Sequence, residues 1–276
     1  MHEYNLEVFN KISFCRHFEN FVFEKIKDKT IKIPVYLSAG QESIPCSIAT
    51  YLKAKNIQPN IFIQHRGHST YLAFDAPPER LIDELLGLES GCSFGMGGSA
   101  SIQSIEKNIF GHDGLMGSQV PISVGHCYHT KSPTIVFMGD ASAEEDYVSA
   151  SIGWASTKNL PILFVVEDNN LSILTEKKVR RNWNMHELAK GYKVDAYDIS
   201  DDPSSIASHL ENVFNGPMLL NIRTVRKYWH AGAGVDGDYF DRYEWLKKNL
   251  PSEVLRIDED NKNKVQALWQ SRLETL

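Results

Sequence analysis

Residues 134–170 read TIVFMGDASAEEDYVSASIGWASTKNLPILFVVEDNN. Two unbroken apolar, β-branched runs, TIVFM and ILFVV, flank a segment from Asp146 to Thr157 with helical spacing. Strands that do not alternate apolar with polar are buried on both faces, as in parallel sheets covered by helices. Each run ends in polar residues: Gly139 and Asp140 after the first, Asp168, Asn169 and Asn170 after the second. In open parallel sheets, ligands lie outside the carboxyl ends of the strands, so these residues call for an explanation. Asp140 taken alone caps a helix, and Asn169 with Asn170 makes a turn. Taken as a pair on neighbouring strand tips, a carboxylate, a carboxamide oxygen and a nearby backbone carbonyl are hard oxygen ligands suited to Mg²⁺.

The pattern continues outward. Helices are expected at 120–130, 185–191 and 203–214, and strands at KVDAYDI (193–199) and MLLNIRTV (218–225). Upstream, residues 4–27 carry Leu6, Phe9, Phe14, Phe18 and Phe21 at helical spacing. A second helix is expected over 41–55, a strand at IFIQ (61–64) and a helix over 78–88. Residues 87–119 are glycine-rich with neither period, which predicts loop. A last helix is expected near 261–273. The whole, 1–276, reads as one α/β domain, mainly parallel sheet with helices on both faces. GDAS, EDNN and RKYWH (226–230) then fall along one edge.

The chain has 276 residues, 42% of them hydrophobic and 23% charged, enough for a core that needs no staples. Its net charge of −6 argues against nucleic acid and an anionic membrane surface, but not against a small anion held by local arginines. Cys15, Cys46, Cys92 and Cys127 are scattered without a CxxC pair, which points to a reducing compartment and away from a disulfide framework or zinc site. No signal peptide or membrane-length apolar span is present, so a cytoplasmic location is expected.

The span GDASAEED…EDNN resembles the thiamine-diphosphate motif, GDG followed by NN about thirty residues on. The resemblance extends to the alpha subunits of the thiamine-diphosphate-dependent 2-oxo acid dehydrogenases, the decarboxylating component, pyruvate, acetoin and branched-chain types included. YLSAGQESIP, IQHRGHST, GMGGSAS, GLMGSQVPISVG and RTVRKYWHAG follow the order of that family's segments over roughly 35–235. The resemblance implies Asp140, Asn170 and the Ser172 carbonyl as Mg²⁺ ligands, with Gly139, Ala141 and Ser142 beside them. It implies Arg66, with His65 in place of the family's tyrosine, on the diphosphate. Gly114, Leu115 and Met116 would wrap the pyrimidine, Met116 wedging the cofactor into a bent shape; an ordinary core methionine is the alternative. His68 and His230, beside Arg66 and Arg226, match histidines of the reaction centre, against the structural role most lone histidines have. Ala141 replaces the third residue of GDG, Ser101 the histidine of the glycine-rich loop, and Ser172 the aromatic after Asn-Asn.

The implied activity is that of an oxidoreductase that decarboxylates a 2-oxo acid and passes the acyl unit to a lipoyl group on an acyltransferase. A glutamate on a separate beta subunit would complete the site, in an α2β2 heterotetramer, and the phenylalanines of the N-terminal helix would help cover that interface. Two other readings stay open here. One is a carboligase or transketolase-like subunit acting on a sugar or aldehyde; the other is a non-catalytic assembly subunit.

Overall fold

The computed structural model describes residues 2–237 and 239–274, with His2 described in its backbone only. Six strands form one parallel sheet: β1 (Asn60–Phe62), β2 (Ile109–Phe110), β3 (Thr134–Gly139), β4 (Ile162–Asp168), β7 (Asp195–Ser200) and β8 (Met218–Arg223), in the order β2-β1-β3-β4-β8-β7. β5 (Leu171–Ser172) and β6 (Thr175–Glu176) make a small separate hairpin. β3 and β4 pair in step from Thr134↔Ile162 to Gly139↔Glu167, so their polar tips end side by side. From β1 the chain steps outward to β2, then returns past β1 to β3 and onward. The gap above β1 and β3 is therefore where strand order reverses, the usual ligand crevice of such sheets.

The unbroken apolar runs divide their residues between two cores, as strand pleating requires. Ile135, Phe137, Leu163 and Val165 face one layer, while Val136, Met138, Phe164 and Val166 face the other. The second layer comprises α5 (Gln119–Thr130), α6 (Asp146–Thr157) and α8 (Met185–Gly191). The first and larger one is built on α1 (His2–Lys27), α2 (Ser43–Ala54), α3 (His68–Ala73), α4 (Pro78–Leu85), α9 (Pro203–His209), α10 (Arg242–Asn249) and α11 (Glu253–Leu273). The four-residue α7 (Lys177–Arg180) buries none of its side chains. All four cysteines are free thiols. Among the described residues no helix is long and apolar enough to cross a membrane.

Several expectations shift. β3, β4, α6 and α8 lie where the pattern placed them, but α11 begins eight residues before 261, and α9 stops at His209. Inside the glycine-rich loop sits β2, too short to show a period, and α3 and α10 were not foreseen. The phenylalanines of α1 serve this chain's own core. Phe9 and Phe18 are fully buried within this chain, and Phe18 and Phe21 pack on Trp269 of α11 with ring centroids 6.0 and 6.3 Å apart. Phe9 and Phe18 therefore offer no surface to an interface, while Phe14, Phe21 and Phe23 stay half-buried.

Charge also holds α1 in place. Arg16, wholly buried, forks onto Glu42 at the start of α2 and onto Asp241 beside α10, with Nη1–Oδ2 2.7 Å and Nη2–Oδ1 2.9 Å to the latter. Ser13 and His17 bond Asp258 of α11 at 2.7 and 2.9 Å. Between Arg16's two partners, the chain before α2 runs against the segment after β8. A Cβ on Gly40 would lie 2.5 Å from the Val225 carbonyl oxygen, and Gly40 has φ +101°, so only glycine fits.

Candidate active site

Four strand tips converge on a cavity of about 450 Å³. Gln64, His65 and Arg66 come from the end of β1, and Gly139–Ser142 with Glu144 and Glu145 from the end of β3 and just beyond it. Asn169, Leu171, Ser172 and Ile173 follow β4, and Arg226 and His230 follow β8. Met116 and Arg180 close the rim. The sequence-derived set is thus largely brought together: His65, Arg66, Met116, Gly139, Asp140, Ala141, Ser142, Ser172, Arg226 and His230 all line it.

Asp140 is buried at the tip of β3 and does not cap a helix, because α6 begins at Asp146 with Glu145 in the cap position. Its carboxylate is paired with Arg180. Burial, reinforced by the neighbouring Asp168 carboxylate, pushes its pKa up to about 6 despite that guanidinium. Asn169 and Asn170 do make the expected turn. The Asn169 side chain accepts from Leu171 N at 3.0 Å, and Asn170 takes φ +66° with its N–H on Asp168 Oδ1 at 3.1 Å. Asn170 is exposed beside the cavity, and Ser172 is half-buried in it.

Across the cavity lie two buried arginines. Arg66 donates to the Leu37 carbonyl at 2.8 Å and to the His230 carbonyl at 3.1 Å; Arg226 pairs with Asp236 and donates to Ile173 O at 2.8 Å. Burial, and then the charge of Arg226, lower Arg66 to about 10. Two guanidiniums forced together out of water are the electrostatic complement of an anion. Arg66 also donates to His230 Nδ1 at 3.3 Å, which leaves the proton of the neutral ring on Nε2. Burial and the two arginines hold His230 down at about 4, so the ring is uncharged at neutral pH. His65 is held down to about 2 by burial and by Arg66, and neither of its buried ring nitrogens has a partner among the described residues. Orphaned polar atoms facing a cavity are what a polar ligand would satisfy.

Four expected residues do not line the cavity: Asn170, which sits beside it, and His68, Gly114 and Leu115. His68 is fully buried outside the cavity, where Glu19 Oε1 bonds its Nδ1 at 2.8 Å and Ser99 Oγ its Nε2 at 2.9 Å. Both nitrogens are occupied, so the ring ties α1 to the glycine-rich loop and has no free atom for a reaction. Gly114, with φ +100°, and Leu115, 61% exposed, flank Met116 without lining the cavity. The glycine-rich loop itself is organised from within. Glu84, fully buried in α4, accepts from the N–H groups of Ser93, Gly95, Gly97 and Gly98 at 2.7–3.0 Å.

Sequence reading missed Gln64, Glu167 and His112. Glu167 lies buried at the end of β4, bonded by Gln64 Nε2, and burial pushes it up to about 7 against the pull of Gln64 and Arg66. His112 is buried, accepts from Gly114 N at 3.0 Å, and lies 5.9 Å from His65 between ring centroids, the rings tilted by 59°. A carboxylate at the end of an apolar strand was the only visible hint of the first.

The model of the dehydrogenase E1 component family matches residues 10–249, which span the sheet and all the residues of this crevice; the chain belongs to that family. The relatives it matches carry the name of pyruvate dehydrogenase E1 component subunit alpha. The pyruvate dehydrogenase E1 component subunit alpha of Dictyostelium discoideum (mitochondrial) is 27% identical over 252 residues, 87% of this chain and 65% of that protein. The Zymomonas mobilis subunit alpha is 25% identical over 290 residues, 94% and 81% of the two chains. That of Rickettsia prowazekii is 27% identical over 252 residues, 84% and 75%. The chain thus spans just under two thirds of the Dictyostelium relative's length.

Proposed function

We propose that this chain is the alpha subunit of a thiamine-diphosphate- and Mg²⁺-dependent enzyme that decarboxylates a 2-oxo acid, pyruvate being the acid its relatives' names carry. The observation that supports it most is the pairing of opposite electrostatics across one cavity. Arg66 and Arg226 offer two desolvated guanidiniums, and Asp140 offers a carboxylate whose ionisation burial and Asp168 oppose. A diphosphate bridged to a divalent cation satisfies both ends at once.

In this reading Asp140, the Asn170 side chain and the Ser172 carbonyl hold Mg²⁺, and Arg66 with His65 and Arg226 binds the diphosphate. Gly139, Ala141 and Ser142 line the floor, where small residues leave room. Gly114 and Leu115, through their backbone, and Met116, at the cavity rim, would hold the pyrimidine end. Thiamine diphosphate, when bound, supplies the nucleophilic carbon and the electron sink for loss of carbon dioxide. The protein's own part is to orient and to exclude water. His230, neutral with its proton on Nε2, is placed to donate a hydrogen bond to the substrate at the cavity mouth. His68 acts at one remove, fixing the glycine-rich loop through Ser99.

The glutamate that the pyrimidine requires is supplied by a beta subunit, in an α2β2 assembly, and the acyl unit passes to a lipoyl-bearing acyltransferase. With four free thiols the protein suits a reducing cytoplasm. The test is calorimetry of thiamine diphosphate with and without chelator, in wild type and Asp140→Ala. Binding lost in both manipulations supports the site; metal-independent binding of undiminished strength refutes it.

A further inference from the structure

Arg180 stands where the proposed metal would. It ends α7, its Nη2 is on Asp140 Oδ2, its Nε is 3.2 Å from Glu144 Oε1, and its Nη1 donates to Thr175 O at 3.2 Å. Arg181 Nε lies 3.5 Å from the same Glu144 oxygen. The charge of a guanidinium is thereby spent on the carboxylate that metal binding needs. A divalent cation on the other oxygen of Asp140 would face a like charge a few ångströms away, and one of the two must leave.

The segment that carries Arg180 lets it leave. α7 contributes no side chain to either core and Val179 is 72% exposed, while Lys177 on Asp168 and the buried Arg181 hold the two ends in place, so it is the Arg180 side chain that swings. The segment is also tied to the other proposed ligands: Lys177 N donates to the Asn170 carbonyl at 3.0 Å, and Ser172 pairs with Thr175 across the hairpin. A change at Asn170 and Ser172 is thus passed directly to Arg180. Glu144 offers the displaced guanidinium a partner it already touches.

We propose that Arg180 is a removable counter-cation: it occupies Asp140 in the metal-free protein and is expelled to Glu144 when metal and diphosphate enter together. This rests on the cofactor reading above and adds a consequence to it. The metal alone binds poorly, because it must evict Arg180 unaided; the anion's charge tips the exchange, so metal and diphosphate load as one.

The experiment titrates the full chain with Mn²⁺, without and with saturating thiamine diphosphate, and follows free Mn²⁺ by electron paramagnetic resonance. Arg180→Gln is expected to tighten binding of Mn²⁺ alone by about tenfold and to shrink the enhancement that thiamine diphosphate gives. Arg180→Lys keeps the charge but loses the fork, and should tighten it by about threefold. Unchanged or weaker Mn²⁺ binding in both variants overturns the proposal, weaker binding with thiamine diphosphate meaning that Arg180 holds the diphosphate instead. If thiamine diphosphate fails to strengthen Mn²⁺ binding in any form, and Asp140→Asn binds like wild type, the cofactor reading falls and this inference with it.

Discussion

Replacing Glu167 by glutamine should make the protein more stable at alkaline pH than it is now. The side chain is wholly desolvated at the end of β4, and its carboxyl ionises near 7 in the fold against 4.5 when unperturbed. Between those values the folded state keeps a proton that the unfolded chain has already lost. Stability therefore falls as pH rises through the window, by about 1.4 kcal/mol per unit. By neutral pH about 3 kcal/mol has been given up, a large part of the net stability of a domain this size. Glutamine keeps the shape and an oxygen for the Gln64 amide, and has nothing to titrate. Urea unfolding of both proteins near pH 5 and near pH 8 isolates the effect, because other titrating groups are common to the two and cancel in the difference. The variant should gain about 2–3 kcal/mol on wild type between the two conditions. A difference that stays constant within about 0.5 kcal/mol would refute the placement of Glu167 as an acid raised by burial.

Other consequences are equally measurable. Glu84→Gln sets an amide NH₂ against two of the four N–H groups the carboxylate now accepts, and should cost about 3–5 kcal/mol, with faster hydrogen exchange at residues 93–98. The two histidines should separate cleanly. His68→Ala strips Glu19 of a buried partner and should lower stability by about 3 kcal/mol, whereas His230→Ala should leave melting within a few degrees while turnover, assayed with the beta chain supplied, falls about a hundredfold. Equal effects of both on melting would undo the distinction drawn between them.

The central sheet was legible because its signal is local. TIVFM and ILFVVED are long, apolar and bounded, and the structure places β3 and β4 upon them. The cavity was legible because its residues sit at strand ends, a position that pattern alone locates. What escaped was decided by partners distant in sequence. Nothing in the residues around His68 announces Glu19 and Ser99, which occupy both its nitrogens and remove it from the reaction centre. Glu84 reads as an ordinary helix acid until the loop folds over it, and Arg180 as one more base in KKVRR until Asp140 is seen beneath it. β2, two residues long, carries no period at all.

Arg16 and Asp241 are 225 residues apart in sequence, and Ser13 and Asp258 are 245 apart. Read as a timetable, this inverts the order of synthesis. α1 cannot close these ionic contacts until α10 and α11, more than two hundred residues later in the chain, have been made. Until then Phe9 and Phe18 have no Tyr243 or Trp269 to rest on, and Arg16 has only the Glu42 half of its pairing. Contacts this distant are slow to form, and exposed apolar surface in the interval invites aggregation. The nascent chain is thus a natural client for chaperones that shield apolar segments. A cut anywhere between α1 and α11 should cost the whole domain its fold.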